Sequence, residues 1–239
     1  MSQPSLSQSA APLGIGVYSF ADAARFIGTE SREIRRWLLG HRYRQTGTGN
    51  MAESVPLWTS ELAQFDIGDG IGFRDLLELR FVKAFRCRGV SLHSIRLAIE
   101  YASEKFGSNR PLQCKRFQTD GYSIFVTVRE ETGDDSLIDV VRRQQTFREV
   151  VGPSLYAGIE FEAGTRALRW FPAKGRAIVL DPARNFGQPI LTRAGVPTVA
   201  IAESLAAEGG DSALVARLFG VTRREVDQAV QFEASLTRQ

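Results

Sequence analysis

Two cysteines, two histidines and two methionines are all that this chain of 239 residues contains, and the scarcity excludes several protein classes at once. Cys87 and Cys114 lie in unrelated contexts with no Cys-X-X-Cys spacing, which argues against a disulfide framework or a structural zinc site. Both are expected to be buried free thiols in a reducing cytoplasm. His41 and His93 have no second His, Cys or carboxylate at ligand spacing, so no metal is expected. Gly14-Ile15-Gly16 and Gly68-Asp69-Gly70-Ile71-Gly72 lack the strand-to-helix context of a nucleotide loop, and no nucleophile sits beside a base. An enzyme is not expected, nor a cofactor. Apolar runs are broken by charge within a few residues, which excludes a membrane span. Met1 to Pro12 is polar without a basic start or apolar centre, so residues 1–16 read as a disordered lead rather than a signal peptide.

What is present fits a protein of more than one domain. Hydrophobic residues make up 43% and charged residues 24%, enough for one large or two modest cores. The net charge of +3 is unevenly spread. From Phe73 to Thr119 ten Lys or Arg face four acids, giving that segment +6. Glu130, Glu131, Asp134 and Asp135 then reverse the sign, with Arg129 alone opposing them. Glu130 to Asp135 is therefore predicted to be a hydrated linker. A basic first domain would bind DNA in a salt-dependent way through counterion release.

Tyr18 to Trp37 reads as two short helices joined by a glycine turn. Ser19 can cap the first, with Asp22 three residues on, and Ala24 through Gly28 supplies the small residue and turn glycine that let two helices approach. Ser31 is predicted to cap the second. There Ile34, Trp37 and Leu38 share one face while Arg32, Arg35 and Arg36 project elsewhere. This is the form of a helix-turn-helix, which lays its second helix in the major groove of DNA. His41-Arg42-Tyr43-Arg44, a tip at Gly47 to Asn50, and Val55-Pro56-Leu57-Trp58 predict a two-stranded wing whose Arg42 and Arg44 reach a phosphate or the minor groove. An apolar helix follows from Phe73 through Phe85, closed by Gly89, and Ser91 caps another running through Ile95 and Tyr101.

On these residues the chain from about Val17 to Gly107 resembles the winged helix of MerR-type regulators. Ile34-Arg35-Arg36-Trp37, Leu79-Arg80-Phe81-Val82-Lys83 and Gly89-Val90-Ser91-Leu92-His93-Ser94-Ile95-Arg96 carry the likeness. The pattern then departs. Lys115 to Gln118 and Tyr122 to Val128, around Thr119-Asp120-Gly121, predict a hairpin with an Asp-Gly turn where that family continues as a long dimerising helix.

Beyond the predicted linker, Leu137, Val140, Val141, Phe147, Val150 and Val151 line one face of an expected amphipathic helix ended by Gly152-Pro153. Ala167 to Pro172 and Ala177 to Pro182 predict a pair of short strands. Thr198 to Glu208 is expected to be helical, and Asp211 caps a further helix through Phe219. Ala216 to Gly220 repeats the small-residue-to-glycine spacing of Ala24 to Gly28, and Thr222 with Glu225 forms a capping box for a last helix. Arg223, Arg224 and Gln228 would face outward at its start, where recognition helices carry base-contacting groups.

Leu180-Asp181-Pro182, Phe186 to Leu191, Gly195-Val196-Pro197-Thr198 and the Leu218 to Thr222 turn resemble the small helical domain of VapB-type antitoxins. With the first likeness, the order of parts is similar to long members of that family. The resemblance implies a PIN-like ribonuclease toxin as partner, operator DNA as a second ligand, and homo-oligomers or hetero-oligomers with the toxin. The expected architecture is mainly α with short β hairpins: a winged helix-turn-helix with a hairpin extension over 17–128, linker and amphipathic helix over 129–165, and a strand pair with a three-helix antitoxin domain over 166–239. Arg32, Arg35, Arg36, Arg42, Arg44, Arg223, Arg224 and Gln228 are the expected DNA contacts. A stand-alone MerR-like transcriptional regulator is the alternative.

Overall fold

Helix α1 (Phe20–Ile27) and helix α2 (Ser31–Leu39) open the fold, followed by the antiparallel strands β1 (His41–Arg44) and β2 (Met51–Ser54). Helices α3 (Phe73–Arg86), α4 (Leu92–Phe106) and α5 (Arg116–Thr132) come next. After a single helical turn at Pro153–Tyr156, β3 (Ile159–Glu162) pairs with β4 (Arg166–Trp170) and β5 (Ile178–Val179) with β6 (Ile190–Leu191). Helices α6 (Thr198–Ala207), α7 (Ser212–Phe219) and α8 (Arg223–Thr237) complete it. This computed structural model describes residues 14–44, 49–65, 70–138, 147, 151, 153–162 and 166–237. It is mainly helical with short antiparallel strand pairs. Most of the amphipathic helix expected over 137–151, and residues 45–48 of the wing tip, lie outside the described residues.

The predicted hairpin around Thr119-Asp120-Gly121 is instead the middle of α5. Tyr122 to Val128 is rich in β-branched and aromatic residues, yet Phe117, Ile124, Phe125 and Val128 fall at helical spacing and are buried on one face. Their burial outweighs local strand preference. Gly121 serves close approach rather than a turn: a Cβ built there would lie 2.7 Å from the Phe147 ring and 3.0 Å from that of Phe117. Gly121→Ala is therefore expected to cost about 1–3 kcal/mol by overpacking, measurable by urea denaturation, although alanine is the better helix former. A stabilised variant would mean that the contact is not tight.

Around this point the rings of Phe81, Phe85, Phe117, Phe125 and Phe147 pack with centroids 4.7–6.4 Å apart. Each ring withdrawn from water contributes about 1.5–3 kcal/mol. The acidic stretch Glu130 to Asp135 is the last turn of α5 and the start of a further helical turn at Asp135–Leu137 rather than a linker. Gly133 closes the helix, and Asp134 accepts hydrogen bonds from the hydroxyls of Ser91 and Ser94 and the backbone N–H of Ser136. Those donors hold its carboxyl well below the usual range against the opposing effect of burial. Asp134 thus fastens the end of α5 to the start of α4.

Three further expectations are corrected. The second wing strand is Met51–Ser54, not Val55 to Trp58, because Leu57 N–H donates to Trp37 O and the Trp58 indole turns inward to Asp75. Ala167 to Pro172 and Ala177 to Pro182 do not pair as a hairpin. The main partner of β4 is Ile159–Glu162, and only Trp170 bridges Leu180. Of the two free thiols, Cys114 is buried but Cys87 is exposed.

The segment from Val17 to Arg25 is joined to the C-terminal part of the described chain. Val17 N–H donates to Phe186 O at 2.9 Å, Tyr18 Oη to Gly187 O at 2.7 Å, and Gln188 Nε2 to Val17 O at 2.9 Å. Arg25 of α1 pairs with Glu233 of α8 at 3.0 Å. Buried side chains from Tyr18 to Leu236 form one continuous cluster. Within it Asp75, fully buried, accepts from Trp58 Nε1, Ser60 Oγ, the N–H groups of Glu61 and Gly72, and Arg110.

Candidate nucleic-acid interface

The first helix pair is built largely as its residues dictate. Ser19 Oγ accepts the Asp22 N–H at 3.0 Å and caps α1. Gly28, at φ 67°, ends it in the left-handed region, and Thr29 N–H returns to Ala24 O at 3.0 Å. Ser31 is not the cap of α2. That position is Glu30, and the Ser31 hydroxyl donates instead to Phe20 O, tying the two helices together. Ile34, Trp37 and Leu38 are buried as expected, and the arginines lie on the exposed side.

Those arginines are not equivalent. Arg35 holds its guanidinium 4.3 Å from the centroid of the Phe20 ring, which fixes the direction of the side chain. Arg32 pairs with Glu30 at 3.1 Å, both about 70% exposed, so the pair is screened and worth little. Arg36 is exposed and makes no ion pair among the described residues. On the hairpin, Arg42 stands opposite Glu53 and Arg44 opposite Met51, both arginines exposed. The base of the hairpin is anchored from α4, where Arg96 donates to Val55 O at 2.7 Å. A guanidinium-bearing helix and a basic two-stranded ribbon thus follow one another on a rigid support.

The C-terminal turn repeats the geometry of the first. Gly220 closes α7 at φ 64°, and Val221 N–H returns to Ala216 O at 2.9 Å, the same five-residue bond as Thr29 to Ala24. Thr222 and Glu225 form the expected capping box. Glu225 also receives both arms of Arg193, at 3.0 and 2.8 Å, and that pairing pushes its carboxyl down to about 2. Arg223 and Arg224 are exposed at the start of α8. Gln228 is not: it is half-buried in a cleft of about 410 Å³ with Phe26 of α1 and Trp170 of β4. The far end of α8 packs on α1 through Phe232 and Glu233.

No family model matches the chain. A curated protein of Mycobacterium tuberculosis (strain ATCC 25618 / H37Rv), named "Putative antitoxin VapB45", is similar over most of its length. The two are 25% identical over 225 residues, 90% of this chain and 93% of that protein. The X-ray crystal structure of Rv2018 from Mycobacterium tuberculosis has the same fold, with a TM-score of 0.64 and 23% identity over 91% of this chain and 99% of that one.

Sequence reasoning passed over a different group of arginines. Arg74 on α3, Arg116 on α5 and Arg166 on β4 line one cavity, although 42 and 50 residues separate them along the chain. No local motif marks such a cluster. Among the described residues no three His, Cys, Asp or Glu side chains gather as a metal site, and no helix is long and apolar enough to cross a membrane.

Proposed function

We propose that the chain is the antitoxin of a type II toxin–antitoxin pair, which neutralises a PIN-like ribonuclease and represses its own operon in the cytoplasm. The observation that carries this reading is the similarity, over nine-tenths of both chains, to a protein named as a VapB antitoxin. DNA binding is assigned to the segment over 17–128. Helix α2 enters the major groove with Arg36 and Arg35 toward base edges, Arg32 exchanges Glu30 for a phosphate, and Arg42 and Arg44 hold the backbone from the hairpin. Exposure of these five side chains supports the assignment. Arg223 and Arg224 form a second, smaller basic edge on the C-terminal antitoxin domain, with Gln228 set back from it.

An arginine reading a guanine edge supplies about 1–3 kcal/mol of discrimination, whereas a phosphate contact lowers the salt slope by about one. Arg36→Ala is expected to show one of these two signatures when the duplex upstream of its own gene is titrated over a range of salt. Affinity and slope both unchanged would contradict the groove assignment. A chain that binds this duplex but no neighbouring nuclease would be a free-standing MerR-like regulator instead.

A further inference from the structure

The cavity between α3, the α4–α5 junction and β4 has a volume of about 630 Å³, within the range of small-molecule sites. Its walls carry Arg74, Arg116 and Arg166 together with Ser108 and Asn109, and among the described residues no acidic side chain lines it. Residues of α3, α5 and β4 thus bring three arginines to one space.

Among the described residues Glu61 pairs with Arg74, 3.7 Å from its Nη1 and so beyond hydrogen-bond length, and Glu162 stands opposite Arg166 in the β3–β4 register. Arg74 Nε is buried with no hydrogen-bond partner. A buried N–H left so costs free energy unless something else accepts it. Arg116 lies 5.2 Å from the centroid of Phe106, a contact that steers the guanidinium while leaving its N–H groups available. Arg166, the first residue of β4, is exposed and lines the same cavity. Planar N–H forks suit the tetrahedral oxygens of phosphate, and the hydroxyl of Ser108 and amide of Asn109 supply neutral polar groups beside them.

We propose that this cavity is a binding site for a small, multiply charged phosphate ester of nucleotide size, held by Arg74, Arg116 and Arg166. The inference is independent of the antitoxin assignment and adds a ligand to it. Bound there, the anion would tie β4 to α3 and α5.

The test is calorimetric titration of the full chain, at low ionic strength, with inorganic pyrophosphate and separately with adenosine diphosphate. Saturable one-site binding is expected, weakened at least about tenfold by Arg116→Ala and by Arg166→Ala, since each removes a charge-assisted contact. Both residues are exposed, so the variants should keep the wild-type circular dichroism spectrum. Arg217→Ala, on the exposed side of α7, should bind as wild type does. Tighter binding of the nucleotide than of pyrophosphate would show that the nucleoside is read as well; equal binding would show that the phosphates alone are. No saturation, saturation insensitive to both cavity variants, or displacement of pyrophosphate by a DNA duplex would overturn the proposal.

Discussion

Asp75→Ala is expected to lower the unfolding free energy by about 3–5 kcal/mol, a large share of the stability of a protein of ordinary size. The carboxylate is fully buried and collects five donors, including the guanidinium of Arg110, itself only 3% exposed. Removing it strands a buried cation together with an indole N–H, a hydroxyl and two backbone N–H groups. The cost is mainly that of the orphaned partners rather than of the lost attraction. It follows that Asp75→Ala combined with Arg110→Met should recover part of the loss, because the unpaired cation is then gone. Urea denaturation of the two single variants and the double variant forms the cycle that measures this. A loss below about 1 kcal/mol for Asp75→Ala would mean that the network is not a structural tie. The network matters for the proposed interface because Trp58, Ser60 and Glu61 carry the chain from the β1–β2 hairpin back to α3.

Glu78 produces the second large effect, and it depends on pH. Its carboxyl is buried within α3, and burial pushes its pKa up to about 7, against the hydrogen bonds from the N–H groups of Gln113 and Leu112, which lower it. The folded value lies above the ordinary 4.5 of the unfolded chain, so the native state holds the extra proton between these values. Stability from this group is fully present below about pH 4.5, falls as pH rises to about 7, and is level above that, a loss of about 3 kcal/mol. Glu225, with its carboxyl at about 2, acts in the opposite sense and in a lower window: its contribution is present above about pH 4.5 and is lost as pH falls through about 2. The windows do not overlap. Denaturation at about pH 5 and about pH 8 should show Glu78→Gln losing less stability between them than the wild type does. Parallel pH profiles would contradict the assignment.

Much of the helical framework was legible because caps and periodicity agree locally. Ser19, Ser91, Asp211 and the Thr222–Glu225 pair each cap the helix that was read from them, and the repeated turn from alanine to glycine has the same hydrogen bond in both places. The errors have a common origin in distant contacts. Thr119-Asp120-Gly121 has turn chemistry, but Phe147 and Phe117 close over Gly121 and a helix results. Asp134 looks like part of an acidic linker until the hydroxyls of Ser91 and Ser94, 43 and 40 residues away, reach it. Ile159–Glu162 is too short to announce itself as a strand without β4 beside it. Arg32, Arg35 and Arg36 were readable as one exposed set, whereas the stacking of Arg35 on Phe20 and the withdrawal of Gln228 toward Phe26 needed the packed structure. Arg74, Arg116 and Arg166 meet only through the tertiary fold.

The most direct measurement of the antitoxin assignment is a growth assay with the neighbouring nuclease gene under one inducible promoter and this chain under another. Induction of the nuclease alone should arrest growth, co-induction of this chain should restore it, and the two proteins should purify as one complex. Persistent arrest despite abundant folded chain, with no complex formed, would contradict the account.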